Sequence, residues 1–363
     1  MKYRQRSRAT FTSIATSLLA TVAAIALTGC APAPNAEITG PGDEPLPTRI
    51  PAGTSLVVAD QNEALHTLMR ASGEHDKLSA SVEYANFLGG PAILEAIRAD
   101  AVDLAVVGDT PPIQAHASGV AVPVVAAKKQ ELPDYRMAVA PGVSVETLSD
   151  LKGKRITYGE GTGRQPYVLR ALRQAGLTKH DVELVPLKAA DFPDAIRTGQ
   201  VDVAVLNEPH FTRYMSEYRD AGASAVPDSE TVGVASGLQY LYASATALSD
   251  PAKAAAIRDF VQHWVAAAQW SKDDEDAWID AYFVDNQRLS PEEGRSIVES
   301  EGDFRFPPLD EELIGFQQDT IDLLHDAGDL PERLDARDEF DTRFDPVIDE
   351  AVASSGARRS DSP

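Results

Sequence analysis

The chain's 363 residues suffice for two domains or one large one, and a composition of 43 % hydrophobic and 25 % charged residues excludes a wholly disordered polymer. Lys and Arg number 33 against 56 Asp and Glu, and the net charge of −23 repels phosphate backbones, which sets nucleic-acid binding aside. With one cysteine, neither an intrachain disulfide nor a cysteine-built zinc site can form.

The first thirty residues read as an address. Met1–Arg8 carries Lys2, Arg4, Arg6 and Arg8 and no acid; Ile14–Leu27 is apolar apart from Thr16, Ser17 and Thr21. A basic head, an apolar middle and a small-residue end predict an export signal over residues 1–29, too short and weakly flanked for a membrane span. Its end, Leu27-Thr28-Gly29-Cys30, resembles the bacterial lipobox. The resemblance implies a diacylglycerol on Cys30, and two acyl chains hold a protein at a membrane where one would not. The alternative is a free cysteine beside an ordinary cleavage site. Residues 30–49 then form a tether, inside a stretch to Pro51 that holds six prolines and two glycines and few large apolar side chains.

Beyond the tether, strands and helices alternate. Thr54–Ala59 predicts a strand, Asn62–Ala71 a helix and Leu78–Tyr84 a second strand; Gly89-Gly90-Pro91 leads into a helix at Ala92–Ala99, and Leu104–Val107 is a short apolar strand. The pattern restarts with a strand at Lys154–Tyr158 and a loop at Gly159–Gly163. Val168, Ala171, Leu172 and Ala175 then mark one helix face that stops at Gly176. Val182–Leu187 is a strand, Asp191 a helix N-cap, and Val201–Leu206 a closing strand. Such β–α–β order argues for parallel sheets with helices on both faces.

One internal echo ties the two halves. Residues 95–106 (EAIRADAVDLAV) and 194–205 (DAIRTGQVDVAV) match at seven of twelve positions with a constant offset of 99. Each is a helix end, a turn and a strand, followed by a polar loop: Gly108-Asp109-Thr110-Pro111-Pro112 in the first copy, Asn207-Glu208-Pro209-His210 in the second. Loops at the carboxyl ends of parallel strands are where open α/β sheets bind ligands, so two facing lobes would make a cleft. The plainer alternative is an old duplication with no shared site. Later the chain turns helical: an extended stretch at Ser236–Thr246, then helices at Ala254–Trp270, Asp274–Val284, Pro291–Ser300 and Asp310–Ala327, with a polar tail over 346–363 that is frayed from Ser355.

Residues from about 50 to 345 resemble the solute-binding proteins of ABC importers of the sulfonate, nitrate and taurine class. The runs that carry it are Gly108–Pro112, which looks closest to the aliphatic-sulfonate branch, Leu151-Lys152-Gly153-Lys154-Arg155, the Gly161-Thr162-Gly163 loop, Gly199-Gln200-Val201-Asp202 and Glu208-Pro209. The resemblance implies an α/β fold of the type II periplasmic-binding-protein kind: two lobes joined by two crossing strands, closing on ligand like a flytrap, with a helical C-terminal part. It implies a monomer that delivers ligand to permease transmembrane subunits and does no chemistry, with no cofactor, no catalytic residue and no metal. Lobe I is expected at 50–139 plus 234–345 and lobe II at 140–233, crossing near Val139-Ala140 and Gly233-Val234. One departure bears on the ligand: Asn207 precedes the acid-Pro pair where many relatives have an aromatic, and His210 stands where Tyr is common.

A sulfonate is a permanently charged head with three acceptor oxygens, and it needs several N–H or O–H donors converging on one point. Helix N-termini supply such donors and partial positive charge. Three are expected, at Gly89-Gly90, at Asp109-Thr110 and at Thr162-Gly163-Arg164; the glycines admit close backbone approach, the threonines add hydroxyls and Arg164 a charge-assisted bond. Gln61 after the first strand, Asn207 and Glu208 after the last, and Tyr240 toward a tail pocket complete the expected set. Asp109 and Glu208 read either as structural caps or as partners of an amine on a zwitterionic ligand. The alternatives kept open are nitrate or bicarbonate, a thiamine pyrimidine precursor, a tethered scaffold with an empty cleft, and an enzyme related to pyrimidine-precursor synthases, against which the export signal argues.

Overall fold

Runs rich in Val, Ala and Leu, apolar on both faces, form the strands of two sheets, as expected where helices cover both sides. The computed structural model describes residues 44–132 and 135–359, so the export signal and Cys30 lie outside the described residues. In chain order the elements are β1 (Ser55–Asp60), α1 (Ala64–Ala71), β2 (Ser81–Asn86), α2 (Gly90–Arg98), β3 (Leu104–Val107), α3 (Thr110–Ala117), β4 (Val124–Gln130), β5 (Tyr135–Val139), β6 (Arg155–Tyr158), α4 (Arg164–Gln174), β7 (Glu183–Pro186), α5 (Phe192–Arg197), β8 (Val203–Asn207), α6 (His210–Tyr218) and β9 (Ser224–Ala225). They continue with β10 (Leu238–Ala243), α7 (Ala245–Ser249), α8 (Pro251–Asp273), α9 (Glu275–Trp278), a π-helical stretch at Ile279–Asn286, α10 (Pro291–Glu301), β11 (Phe304–Arg305), α11 (Glu311–Asp326) and α12 (Asp345–Ser355). Among the described residues no helix is long and apolar enough to cross a membrane.

The first sheet has the order β11-β4-β10-β3-β1-β2 and the second β7-β6-β8-β5-β9. In each, three strands run parallel (β2, β1, β3 and β7, β6, β8), and the strands added beside them run antiparallel to their neighbours. The result is an α/β flytrap architecture: two sheets, each wrapped by helices, connected by two passages of chain. The outward passage lies between Gln130 and Tyr135, because Tyr135–Val139 already pairs with β8 in the second sheet. That is earlier than the expected crossing at Val139-Ala140, where Pro141-Gly142 is the conspicuous turn signal. The return runs from β9 to β10.

The two passages touch. Gln130 N–H donates to Gly237 O at 2.9 Å. Gly237 has φ +66°, and a Cβ there would stand 2.6 Å from the Gln130 carbonyl oxygen, so glycine is required where the two passages meet. Asp191 does begin α5, but its side chain makes no capping bond. The stretch expected as a polar tail is instead α12, whose buried Val347, Ile348, Ala351 and Val352 fall at helical spacing; α12 packs against α8. Beyond it, the Arg358 carbonyl accepts from Phe306 N–H at 2.8 Å and Arg359 pairs with Asp345 and Asp349, so residues to 359 are docked rather than frayed.

Candidate functional site

The carboxyl ends of β1 and β3 in the first sheet and of β8 in the second open onto one cleft of about 290 Å³, as the topology of open α/β sheets dictates. From the first sheet it is lined by Gln61, Gly89, Val107 and Lys128, and from the second by Tyr135, Arg164, Asn207, Glu208 and His210. A recess beneath the C-terminal helices adds Trp264, Trp278, Tyr282 and Phe304.

Asp60, at the end of β1, is buried and accepts backbone N–H bonds from Gln61 (2.6 Å), Leu65 (3.0 Å) and His66 (2.8 Å). It therefore anchors the start of α1, although burial holds its carboxyl above the usual carboxylate range. Gln61 donates from Nε2 to Val106 O at 3.1 Å, which lays the amide across the ends of β1 and β3.

Arg164 is the first residue of α4, after Gly163. Its Nε donates to Val205 O at 3.2 Å and its Nη2 to Asn207 Oδ1 at 2.6 Å, while the guanidinium lies 5.2 Å from the Tyr135 ring centroid and 5.7 Å from that of Phe192. Asn207 is oriented in turn by its Nδ2 bond to Glu208 O at 3.0 Å. A guanidinium has five N–H donors; two are used on protein partners among the described residues, and Arg164 lines the cleft. Glu208 Oε2 accepts from Thr212 N–H at 3.2 Å in the first turn of α6, and Arg136 lies 3.8 Å from its other oxygen, so its charge is absorbed by the second sheet. His210 is pushed down to about 4, first by burial and then by the positive charges of Arg213 and Arg164, so its ring is neutral at pH 7.

Opposite the hinge, the rim is bridged. Arg213 on α6 donates to the Gln287 carbonyl and, at 3.1 Å, to Gln287 Oε1; Ser216 donates to Glu293 Oε1 at 2.5 Å. Behind the cleft, Asp329 takes bonds from Tyr158, Gln165 and Lys179.

The cleft thus brings together Gln61, Gly89, Arg164, Asn207 and Glu208 of the expected set. Gly90, Asp109, Thr110, Thr162, Gly163 and Tyr240 stand elsewhere. Gly90 is a packing position, where a Cβ would meet Pro111 Cγ at 2.5 Å. Asp109 is 2 % exposed; its Oδ1 accepts from Thr110 Oγ1 at 2.9 Å and its Oδ2 is 3.6 Å from Arg170 Nη1. Thr110 has no exposed surface, because α11 covers the start of α3 and Gln317 Nε2 donates to Asp109 O at 2.9 Å. Thr162 spends its hydroxyl on Gly159 O at 2.7 Å, and Gly163 packs under Tyr135. Tyr240 is fully buried on the far face of the first sheet, donating to Gln317 Oε1 at 3.2 Å. Of the three expected helix starts, those of α2 and α4 reach the cleft and that of α3 does not; the first residues of α1 (Ala64) and α6 (His210) also line it. The cleft residues that local sequence did not single out, Lys128, Tyr135, Trp264, Trp278 and Tyr282, come from segments far apart in the chain and carry no motif.

Comparison with known proteins places these features. The family profile described as NMT1/THI5 like matches residues 81–277. A putative aliphatic sulfonates-binding protein of Escherichia coli K12 is 26 % identical over 258 residues, covering 71 % of this chain and 78 % of the relative. The solved alkanesulfonate-binding protein of Xanthomonas axonopodis pv. citri, bound to MOPS, superposes with a TM-score of 0.70 at 24 % identity, covering 79 % of this chain and 97 % of that one. The fold extends to a desulfurization enzyme, with a TM-score of 0.57 at 16 % identity, covering 83 % of this chain and 99 % of that one.

Proposed function

The chain belongs to the NMT1/THI5-like family, and on that premise we propose that it is the extracytoplasmic substrate-binding lipoprotein of an ABC importer, seating a small organic anion, an aliphatic sulfonate, in the cleft and delivering it to the permease. The observation that carries the reading is Arg164. A guanidinium pinned by Val205 O and Asn207, set against the Tyr135 ring, lining the cleft and with N–H donors to spare is preorganised for an oxygen-rich anion. His210 is held neutral first by burial and then by the nearby charges of Arg213 and Arg164, and those two charges also favour an anion.

The anion would be held from both lobes. Gln61 and the Gly89 start of α2 belong to the first sheet's lobe, and Arg164 and Asn207 to the second's. A ligand touching both stabilises the closed form over the open one, with rotation about the passages that meet at Gln130 and Gly237. Lipid at Cys30 would hold the monomer to the outer face of the membrane. A cleft of about 290 Å³ is larger than nitrate or bicarbonate requires.

The test is a thermal-shift panel on the mature chain, unfolded and refolded to strip carried-over ligand. A ligand at 100 times its Kd adds about 2.7 kcal/mol. Shifts with alkanesulfonates and none with sulfate or nitrate support the reading; shifts confined to nitrate, bicarbonate or a pyrimidine keep the receptor and discard the sulfonate. Loss of membrane attachment in Cys30→Ser tests the anchor.

A further inference from the structure

The cleft does not end at Arg164. It continues into the recess between α8, the π-helical stretch, α10 and β11, whose walls are aromatic. On one wall Trp278 and Tyr282 stack at 4.9 Å with planes 7° apart, and Phe283 meets both edge-on at 6.0 and 5.0 Å. The π-helical winding from Ile279 places Phe283, five residues after Trp278, on the same side as Tyr282, four after it. The wall is clamped from behind. At Gly294 of α10 a Cβ would come within 2.8 Å of Ile279 Cγ2 and 3.0 Å of Phe283 Cβ, so only glycine lets the helix press this closely. On the opposite wall Trp264 and Phe304 each meet Phe306 edge-on, at 5.4 and 5.7 Å.

We propose that this recess, walled by Trp278, Tyr282, Phe283, Trp264 and Phe304, is a ring-binding compartment that selects sulfonates bearing an aromatic or saturated ring over those with short linear tails. The proposal rests on the sulfonate reading of the Arg164 end and adds the tail. Two arguments carry it. One is room: a cleft of about 290 Å³ is larger than a sulfonate head alone fills. The other is shape and rigidity. Flat faces fixed by mutual stacking and by Gly294 complement a flat or compact tail, which loses no chain rotamers on entry, whereas a linear tail must freeze several. Trp278 is the most exposed of these wall residues; Trp264, Tyr282, Phe283 and Phe304 are buried.

The experiment is calorimetry on the full chain, refolded to strip ligand, with ethanesulfonate, 1-hexanesulfonate, cyclohexanesulfonate and benzenesulfonate. The expected result is benzenesulfonate binding about thirty-fold tighter than ethanesulfonate and tighter than hexanesulfonate of equal carbon count. Trp278→Leu should cost benzenesulfonate about tenfold and ethanesulfonate less than about twofold. Ethanesulfonate or hexanesulfonate binding as tightly as the ring compounds overturns the compartment and leaves the sulfonate reading intact. If no sulfonate binds, the sulfonate reading fails and the compartment with it. Equal loss for both ligands in Trp278→Leu also overturns the compartment, and the unsubstituted protein's series decides the matter by itself should that variant fail to fold.

Discussion

The two echoed segments, 95–106 and 194–205, are built alike and used differently. In the first, Asp100 takes the left-handed turn (φ 52°) after α2, and in the second Gly199 (φ 70°) does so after α5. Next, Ala101 N–H returns to Ala96 O and Gln200 N–H to Ala195 O, both at 2.9 Å. Then an aspartate clamps the neighbouring parallel strand. Asp103 N–H donates to Val57 O at 2.8 Å and its carboxylate accepts from Val57 N–H at 2.9 Å; Asp202 does the same with Arg155 at 2.8 and 2.8 Å. Each carboxylate also meets a cation at 2.6 Å, Lys253 in one case and Arg155 in the other. The echo is therefore a strand clamp, repeated once per sheet.

Beyond the clamp the two copies diverge. The Asp109-Thr110 loop is sealed by α11 and Arg170, whereas Asn207, Glu208 and His210 open onto the cleft. A shared local sequence thus specifies the strand and its clamp, while distant helices decide which loop is left open to the cleft.

The contrast can be broken at four points. Asp109→Ala strands the Arg170 guanidinium and should cost about 3 kcal/mol of stability while leaving sulfonate affinity within about twofold; intact stability with lost affinity would put Asp109 at the ligand instead. Asp103→Ala and Asp202→Ala should cost similar amounts, about 2 kcal/mol each by denaturant melts, and a difference beyond about 1 kcal/mol would end the equivalence of the clamps. At the turns, Asp100→Gly should stabilise by about 0.5 kcal/mol and Gly199→Ala destabilise by about 1 kcal/mol. The smallest effect is one of pH on the second loop. A sulfonate keeps its charge throughout this range and His210 is pushed down to about 4, so affinity should stay flat from pH 6 to 8. As pH falls toward that value His210 gains a positive charge that favours an anion, so affinity should rise; a tenfold change between pH 6 and 8 would place another titrating group at the ligand.

Much of this is legible from the chain. Alternating apolar runs and turn residues mark every parallel strand to within about three residues, as element boundaries allow. The echo marks the clamps, and loop position brings Gln61, Gly89, Arg164, Asn207 and Glu208 to the cleft. Burial by remote elements is not legible. Gly108–Pro112 has the glycine and threonine of an anion loop, yet Gln317, 208 residues beyond Asp109, covers it. Tyr240 lies on an apolar strand with no alternation to show its face. The α12 helix is hidden because its charged residues mask four buried apolar ones. The aromatic recess is assembled from residues 264 to 304, each of which alone reads as core.

The central claim is that Arg164 holds the anion, and the direct measurement is calorimetry of 1-butanesulfonate against the ligand-stripped protein and its Arg164→Gln variant. The account predicts one saturable site in the unsubstituted protein and an affinity at least about 100-fold weaker in the variant, with its melting temperature little changed. Equal affinities in the two proteins would contradict it.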